Sequence, residues 1–178
     1  MGSTYERELR NILSGDEKAL HSMTRTGPEE DKDGYRLLQD NPFLVIRAAG
    51  SLGVDLVALR WDCSFPIEVK SSRTDVLHFS SSARLMEQAE KMMDDCSRSS
   101  LMPMYAYRLK GVRGDPWRIF SLPTKDVFKG RLGLIQRRIP VIECNKNGNY
   151  IMRWKDGMKL STLLSYLDYI AANTSEME

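Results

Sequence analysis

Three ionisable residues stand in an otherwise apolar stretch and have the types and spacing for metal-assisted chemistry on a phosphate. Asp55 opens the run DLVAL, and Glu68 and Lys70 flank a valine in the run IEVK. Carboxylate oxygens are the ligands that Mg²⁺ prefers, and Mg²⁺ accepts phosphate as a further ligand. A lysine beside such an ion can orient an attacking water or offset charge on a phosphate. The same spacing also fits a surface hairpin closed by a cross-strand salt bridge, since isolated matches of this kind occur by chance.

Two short strands would have to bring these three residues together. The apolar and β-branched residues 55–59 and 67–70 predict strands, with residues 60–66 as the turn between them. Side chains alternate faces along a strand, so Glu68 and Lys70 share one face and Val69 points the other way. An antiparallel hairpin then places Asp55 close to both, at the edge of a core where unpaired charge is costly.

A helix near the start of the chain offers a third acid. Its apolar stripe recurs at helical spacing and consists of Tyr5, Leu9, Ile12 and Leu13. Glu6 and Glu8 lie on opposite borders of that stripe, so either could face a site at the core edge. The periodicity does not choose between them.

The remaining patterns predict an α/β fold, with a mixed sheet flanked by helices. Further strands are predicted over residues 43–48, 76–79, 101–109, 117–122, 139–144 and 150–154. Further helices are predicted from residues 80–82 to about 96, over residues 124–130, and along the apolar stripe at 160–170. The small residues 49–53 predict a turn that lets the backbone approach a ligand closely.

Residues 14–41 are the least regular part of the chain. The run TGPEEDKDG at residues 26–34 contains glycine, proline and five charges, which together predict a polar, mobile loop. We therefore expect a flexible insertion at about 14–41 within one domain that spans residues 1–178. A chain of this length can bury a sizeable core as one unit.

Composition excludes several classes of protein. The chain is 42% hydrophobic and 28% charged, as in an ordinary globular protein. No apolar run approaches the roughly 18 residues that a membrane span needs. The three cysteines lack the spacing of a disulfide framework or a zinc site, and they predict reduced thiols. We expect a cytoplasmic protein without a membrane partner.

The net charge of +2 is unevenly distributed. Residues 98–138 carry ten Lys and Arg against two Asp, whereas residues 1–40 carry six against nine Asp and Glu. A basic excess of this kind is typical of a surface for a phosphate backbone. A solvated basic face would give the same count.

Four short motifs occur in order along the chain. They are EREL (6–9), RAAGS (47–51), VDLVA (54–58) and IEVK (67–70). Together they resemble the archaeal Holliday-junction resolvase family of the PD-(D/E)xK nuclease superfamily. Later segments resemble the family too: EQAE (87–90), GNY (148–150), GMKL (157–160) and Leu163-Leu164. The resemblance covers most of the chain, and the ordered set is more specific than any single motif.

The resemblance implies a restriction-endonuclease-like fold and a homodimer that binds four-way (Holliday) DNA junctions. It implies paired cuts in two opposing strands, with Mg²⁺ as cofactor and Mn²⁺ as a possible substitute. The catalytic residues would be Glu6, Ser51, Asp55, Glu68 and Lys70, with Glu6 rather than Glu8 as the helix-borne acid. The metal ligands would be Glu6, Asp55, Glu68 and the backbone carbonyl of Val69. The DNA-binding candidates are Arg47, Ser51, Lys70, Arg73 and Gln88.

The chain departs from the family pattern in two segments. Residues 14–41 are much longer than the family's short turn, and extra basic sequence occurs at about residues 127–140. Either segment could alter the preferred substrate. Two alternatives therefore stand beside junction resolution: a related nuclease acting on other branched or duplex DNA, and a DNA-binding protein without activity.

Overall fold

The structure, a computed structural model, describes residues 4–48 and 53–174. Its helices are α1 (Thr4–Leu13), α2 (Glu17–Thr24), α3 (Glu29–Asp40), α4 (Ala83–Arg98), α5 (Gly130–Arg138) and α6 (Leu160–Thr174). Its strands are β1 (Leu44–Arg47), β2 (Leu56–Arg60), β3 (Cys63–Ser72), β4 (Val76–His78), β5 (Met104–Leu109), β6 (Trp117–Ser121), β7 (Glu143–Cys144), β8 (Tyr150–Arg153) and β9 (Met158–Lys159).

The larger sheet has six strands in the order β1-β2-β3-β5-β6-β9. β3 and β5 run parallel, and the other neighbours run antiparallel. The parallel pair requires a crossover, which contains α4. β4, β8 and β7 form a second, small antiparallel sheet, in which the hairpin predicted around Asn147-Gly148 is present. The predicted α/β fold with a mixed sheet flanked by helices is confirmed.

The six-stranded sheet separates two apolar cores, because side chains alternate along each strand. On one face, the buried stripes of α1 and α6 pack with Ile67, Val69, Met104 and Ala106. On the other face, α4 packs with Tyr105 and Tyr107. The predicted stripes of α1 and α6 are confirmed, since Leu9 and Ile12 of α1 are buried, as are the α6 residues Leu160, Leu163, Leu164, Leu167 and Ile170. The two core-facing helices thus hold the central strands from one side.

The loop predicted over residues 26–34 is wrong in its secondary structure. Asp16 caps α2 through a 2.9 Å hydrogen bond from the Ala19 N–H, and α3 begins after Pro28 with three acids in its first turn. Acids at a helix N-terminus are stabilised by the helix dipole, so the charged run favours the helix. The hydroxyl of Tyr35 also donates to buried Asp115 at 2.8 Å, and Lys159 contacts Asp31 at 3.0 Å. The flexibility expected for the insertion stays a prediction.

Two other boundaries differ from the sequence-based expectation. The helix predicted over residues 124–130 is wrong, because residues 124–129 are not helical and the Gln136 side chain bonds to the Phe128 N–H and the Asp126 carbonyl. Helix α5 follows it. The turn between β2 and β3 is also shorter than predicted, since Arg60 pairs with Cys63 and both nitrogens of a guanidinium edge contact Asp62 at 2.6 and 2.8 Å.

Gly34 permits the close approach of α3 to the start of α6. A Cβ at this position would lie 2.3 Å from the Ser161 backbone oxygen. We expect Gly34→Ala to lower the free energy of unfolding by about 1–3 kcal/mol, because two helix backbones must separate. Urea unfolding measures the loss, and Gln39→Ala on the exposed face of α3 is the control. Equal stability of Gly34→Ala and the parent would contradict this packing.

Candidate active site

The Asp55 carboxylate lies where the pairing of β2 with β3 ends. Leu56 and Ile67 form the last strand pair, and the Asp55 N–H still donates to the Ile67 carbonyl at 3.0 Å. One step further, the Val69 N–H donates to Asp55 Oδ2 at 2.8 Å, so a side chain replaces the next backbone partner. Because N–H and C=O of one strand residue point the same way, the Val69 carbonyl is directed to the Asp55 side as well.

Glu68 and Lys70 form a close, buried ion pair on the opposite face of β3 from Val69. Lys70 Nζ lies 2.6 Å from Glu68 Oε1, and the two side chains are 15% and 4% exposed for Lys70 and Glu68. The same Nζ lies 3.3 Å from Gln88 Oε1 on α4. The bridge therefore joins two residues of one strand in the interior, which differs from the surface cross-strand bridge that the spacing also allowed. Lys70 has a fixed position between a carboxylate and an amide.

Glu6 and Glu8 of α1 point to different surroundings. Glu6 Oε2 lies 3.2 Å from Arg47 Nη2, and its charge raises the pKa values of both Asp55 and Glu68. Glu8 Oε1 instead accepts from Arg108 Nε at 2.8 Å and from Trp117 Nε1 at 3.1 Å. The structure therefore brings Glu6 to the cluster and not Glu8, and the catalytic role of Glu6 stays a prediction.

Burial raises the pKa values of two of the acids, Asp55 and Glu68. It raises the pKa of Asp55, while the Val69 N–H opposes the shift. Burial also raises the pKa of Glu68 from 4.5 to about 6. The nearby Lys70 charge lowers this pKa, and the Asp55 charge raises it. Three acids thus share a partly buried volume with two cationic side chains. Such a cluster favours an added cation, because opposite charge stabilises the ionised carboxylates.

The donor set fits a hard divalent cation. Asp55 and Glu68 supply carboxylate oxygens, the Val69 carbonyl is directed to the same region, and Mg²⁺ or Mn²⁺ takes such oxygen ligands. Within residues 4–48 and 53–174, no group of three or more His, Cys, Asp or Glu side chains is already arranged to hold an ion. Lys70 and Arg47 contact the Glu68 and Glu6 oxygens in this arrangement.

The remaining predicted site residues have different positions. Ser51 lies outside the described residues, together with most of the predicted turn at 49–53. Arg47 ends β1 at the rim of the cluster, where it contacts Glu6. Arg73 is exposed in the turn after β3, and Gln88 contacts Lys70. Their roles toward DNA stay predictions.

Sequence reasoning missed Tyr105, which is the register partner of Glu68 on β5. Its hydroxyl is fully buried. The strand 101–109 was predicted, and alternation alone places Tyr105 and Tyr107 on one face. The parallel register with β3, however, carries no local signal, because the two strands are separated by a long crossover.

Comparison with known proteins identifies the family. The family model described as archaeal Holliday junction resolvase (Hjc) matches residues 22–168. The chain belongs to the archaeal Holliday junction resolvase family. Membership confirms the predicted junction-resolving nuclease and its DNA recombination and repair class. The matched range includes Asp55, Glu68 and Lys70, whereas Glu6 lies before it.

A solved resolvase structure is similar over much of its length. The structure of Archaeoglobus fulgidus Hjc, a Holliday junction resolvase from an archaeal hyperthermophile, has 18% sequence identity and a TM-score of 0.48. The similar region covers 77% of this chain and 93% of that chain. The family assignment rests on the family model. Across the part of the chain that the structure describes, no helix is long and apolar enough to cross a membrane.

The two glutamates of α1 form a matched pair for mutation. We expect Glu6→Gln to lower the rate of junction cleavage by about 10–100-fold, because the acid lies beside the other two carboxylates. Glu8→Gln should keep the parent cleavage rate but lose about 1 kcal/mol of stability, because its contacts hold Arg108 and Trp117. Cleavage assays and urea unfolding measure both effects. An equal loss of cleavage in both variants would contradict the placement.

The raised pKa of Glu68 predicts that stability falls as pH rises. The folded protein holds the Glu68 proton up to about pH 6, whereas the unfolded chain releases it near 4.5. Between these values the folded state binds more protons, so the free energy of unfolding should fall by about 2 kcal/mol. Urea unfolding in EDTA from pH 4.5 to 7 measures the slope. In Glu68→Gln, the free energy of unfolding should change less with pH. An unchanged pH dependence in this variant would show that other groups cause it.

Proposed function

We propose that this chain resolves four-way DNA junctions by Mg²⁺-dependent hydrolysis of one phosphodiester bond in each of two opposing strands. The observation that carries the proposal is the meeting of Asp55, Glu68 and Lys70 at the end of the β2–β3 pairing, in a member of the resolvase family. The fold alone would not support an activity, because one fold hosts many functions. The residue types at the site supply the chemistry.

Asp55, Glu68 and the Val69 carbonyl would hold Mg²⁺, with Glu6 beside them for a second ion or its water. When bound, the cation supplies charge neutralisation at the phosphate and lowers the pKa of a bound water. Mn²⁺ would substitute, since it takes the same oxygen ligands. The Asp55 carboxylate is suited to this role because the Val69 N–H fixes one of its oxygens at 2.8 Å.

Lys70 would orient the attacking water. Its Nζ contacts Glu68 and Gln88 in the cation-free arrangement, and one of its three N–H groups can be directed at a water or phosphate oxygen. Water attacks phosphorus, the P–O3′ bond breaks, and the products carry a 5′-phosphate and a 3′-hydroxyl. Arg47 at the rim and Ser51 would bind the cleaved phosphate. Gln88 acts through Lys70 as a positioning residue.

DNA would be bound through its phosphates and the shape of the junction. The proposed contacts are cationic or hydroxyl side chains (Arg47, Ser51, Lys70 and Arg73), which suit phosphates rather than base edges. Affinity should therefore fall steeply with salt. A homodimer with two-fold symmetry would present two such sites to a junction of matching symmetry, which gives paired cuts. We infer that the protein works inside the cell, where its DNA substrate is.

The decisive experiment separates binding from cleavage. With a four-way junction and Mg²⁺, the parent should cut two opposing strands, and Asp55→Asn and Glu68→Gln should each cut at least about 100-fold more slowly. Both variants should still bind the junction in EDTA, because the phosphate contacts remain. Gel electrophoresis of end-labelled strands measures the cuts, and Glu30→Gln on exposed α3 is the control.

Two outcomes would overturn parts of the proposal. Parent-like cutting by Asp55→Asn or Glu68→Gln would remove the metal-ligand assignment. Cutting of a linear duplex of equal length as fast as the junction would indicate a nuclease for other DNA. A plasmid with an extruded cruciform tests pairing, since two coupled nicks yield linear product before nicked circles accumulate.

A further inference from the structure

Tyr105 carries an unexplained polar atom close to the candidate site. Among the described residues, its hydroxyl is the buried side-chain oxygen without a hydrogen-bond partner. The residue has no solvent exposure. Buried hydroxyl groups are nearly always hydrogen-bonded, and an exception indicates a missing ligand, a catalytic role or strain. A phenylalanine would fill the same space at no such cost.

Tyr105 lies beside Glu68 in the sheet. Tyr105 is the direct neighbour of Glu68 across the parallel pair β3–β5, so the two side chains stand next to each other on one face of the sheet. Its ring packs against Phe79, with centroids 5.6 Å apart. Burial raises the pKa of Tyr105, and the charges of Glu68 and Asp55 raise it further. The hydroxyl therefore keeps its proton and can donate a hydrogen bond.

Tyr107 shows that the same strand can satisfy such a group. It lies two residues further along β5 on the same face and is also buried. Its hydroxyl donates to the Thr74 carbonyl at 2.6 Å. Of these two buried tyrosines, the one whose hydroxyl lacks a hydrogen-bond partner is therefore the one next to Glu68.

We propose that Tyr105 is a positioning residue whose O–H donates to the Glu68 carboxylate when a divalent cation replaces Lys70 as the charge partner of that acid. This inference rests on the proposed cation site. In the present arrangement, Lys70 Nζ donates a hydrogen bond to Glu68 Oε1 at 2.6 Å. A bound cation would repel the Lys70 ammonium, so Glu68 needs a donor without charge to fix its remaining lone pairs. Tyr105 is neutral, buried and adjacent, which meets each requirement.

The test compares Tyr105→Phe with Tyr107→Phe. We expect Tyr105→Phe to keep or raise the melting temperature of the cation-free protein, because it removes an unsatisfied buried oxygen. The same variant should bind Mn²⁺ about 10–100-fold more weakly in isothermal titration calorimetry, because the ligand Glu68 loses its orienting partner. Tyr107→Phe should lower the melting temperature by about 2–4 °C and leave the Mn²⁺ dissociation constant unchanged.

The outcomes distinguish this inference from the proposed function. Binding of Mn²⁺ by Tyr105→Phe with the parent's dissociation constant overturns the role of Tyr105 and leaves the cation site intact. Absence of Mn²⁺ binding by the parent protein overturns the proposed cation site, and the role of Tyr105 with it. A melting temperature for Tyr105→Phe well below that of the parent shows that the hydroxyl has a structural partner, which also overturns the inference.

Discussion

The hydrogen bond from the Val69 N–H to Asp55 Oδ2, at 2.8 Å, joins the fold to the site. A backbone N–H in a sheet needs a partner, and here a carboxylate takes the place of the next residue of β2. The strands can therefore separate after the Leu56–Ile67 pair without leaving that donor unsatisfied. The same separation directs the Val69 carbonyl toward the acid. Asp55 thus owes its position to a backbone bond of the central sheet, and its geometry is as fixed as β3 itself.

Charge compensation is the second constraint on the site. Glu68 is 3% exposed, and its burial, together with the Glu6 charge, raises its pKa, so ionising Glu68 is costly. Lys70 and Arg47 offset part of the negative charge through contacts at 2.6 and 3.2 Å. Replacing such a cluster by apolar residues often stabilises a protein. The proposed chemistry on a charged substrate would account for such a cluster, and the raised pKa of Glu68 reflects the burial of its carboxylate.

Helices α2 and α3, which lie within residues 14–41, support the position of Glu6 indirectly. A buried network connects α3 with distant parts of the chain: Tyr35 donates to Asp115, Asp115 accepts from the Ser161 N–H, and Asp31 contacts Lys159. Buried polar networks rigidify the elements they join when every member is satisfied. α1 packs between these helices and the sheet, and its Leu13 carbonyl accepts from the Phe43 N–H at 2.8 Å. The insertion therefore holds the helix that presents Glu6, at a distance from the acids themselves.

How far the sequence predicts this arrangement depends on how local each determinant is. Alternation within β3 and one short hairpin place Asp55, Glu68 and Lys70 together, so these residues follow from neighbouring sequence. The run at 26–34 misleads because its glycine and charges serve long-range needs: Gly34 clears the Ser161 backbone, and Asp31 meets Lys159. Tyr105 is missed for the same reason, since the β3–β5 register is set by the crossover and the packing of α4. Residues that adjoin a site from a parallel neighbouring strand, as Tyr105 adjoins Glu68, are thus the hardest to find from sequence.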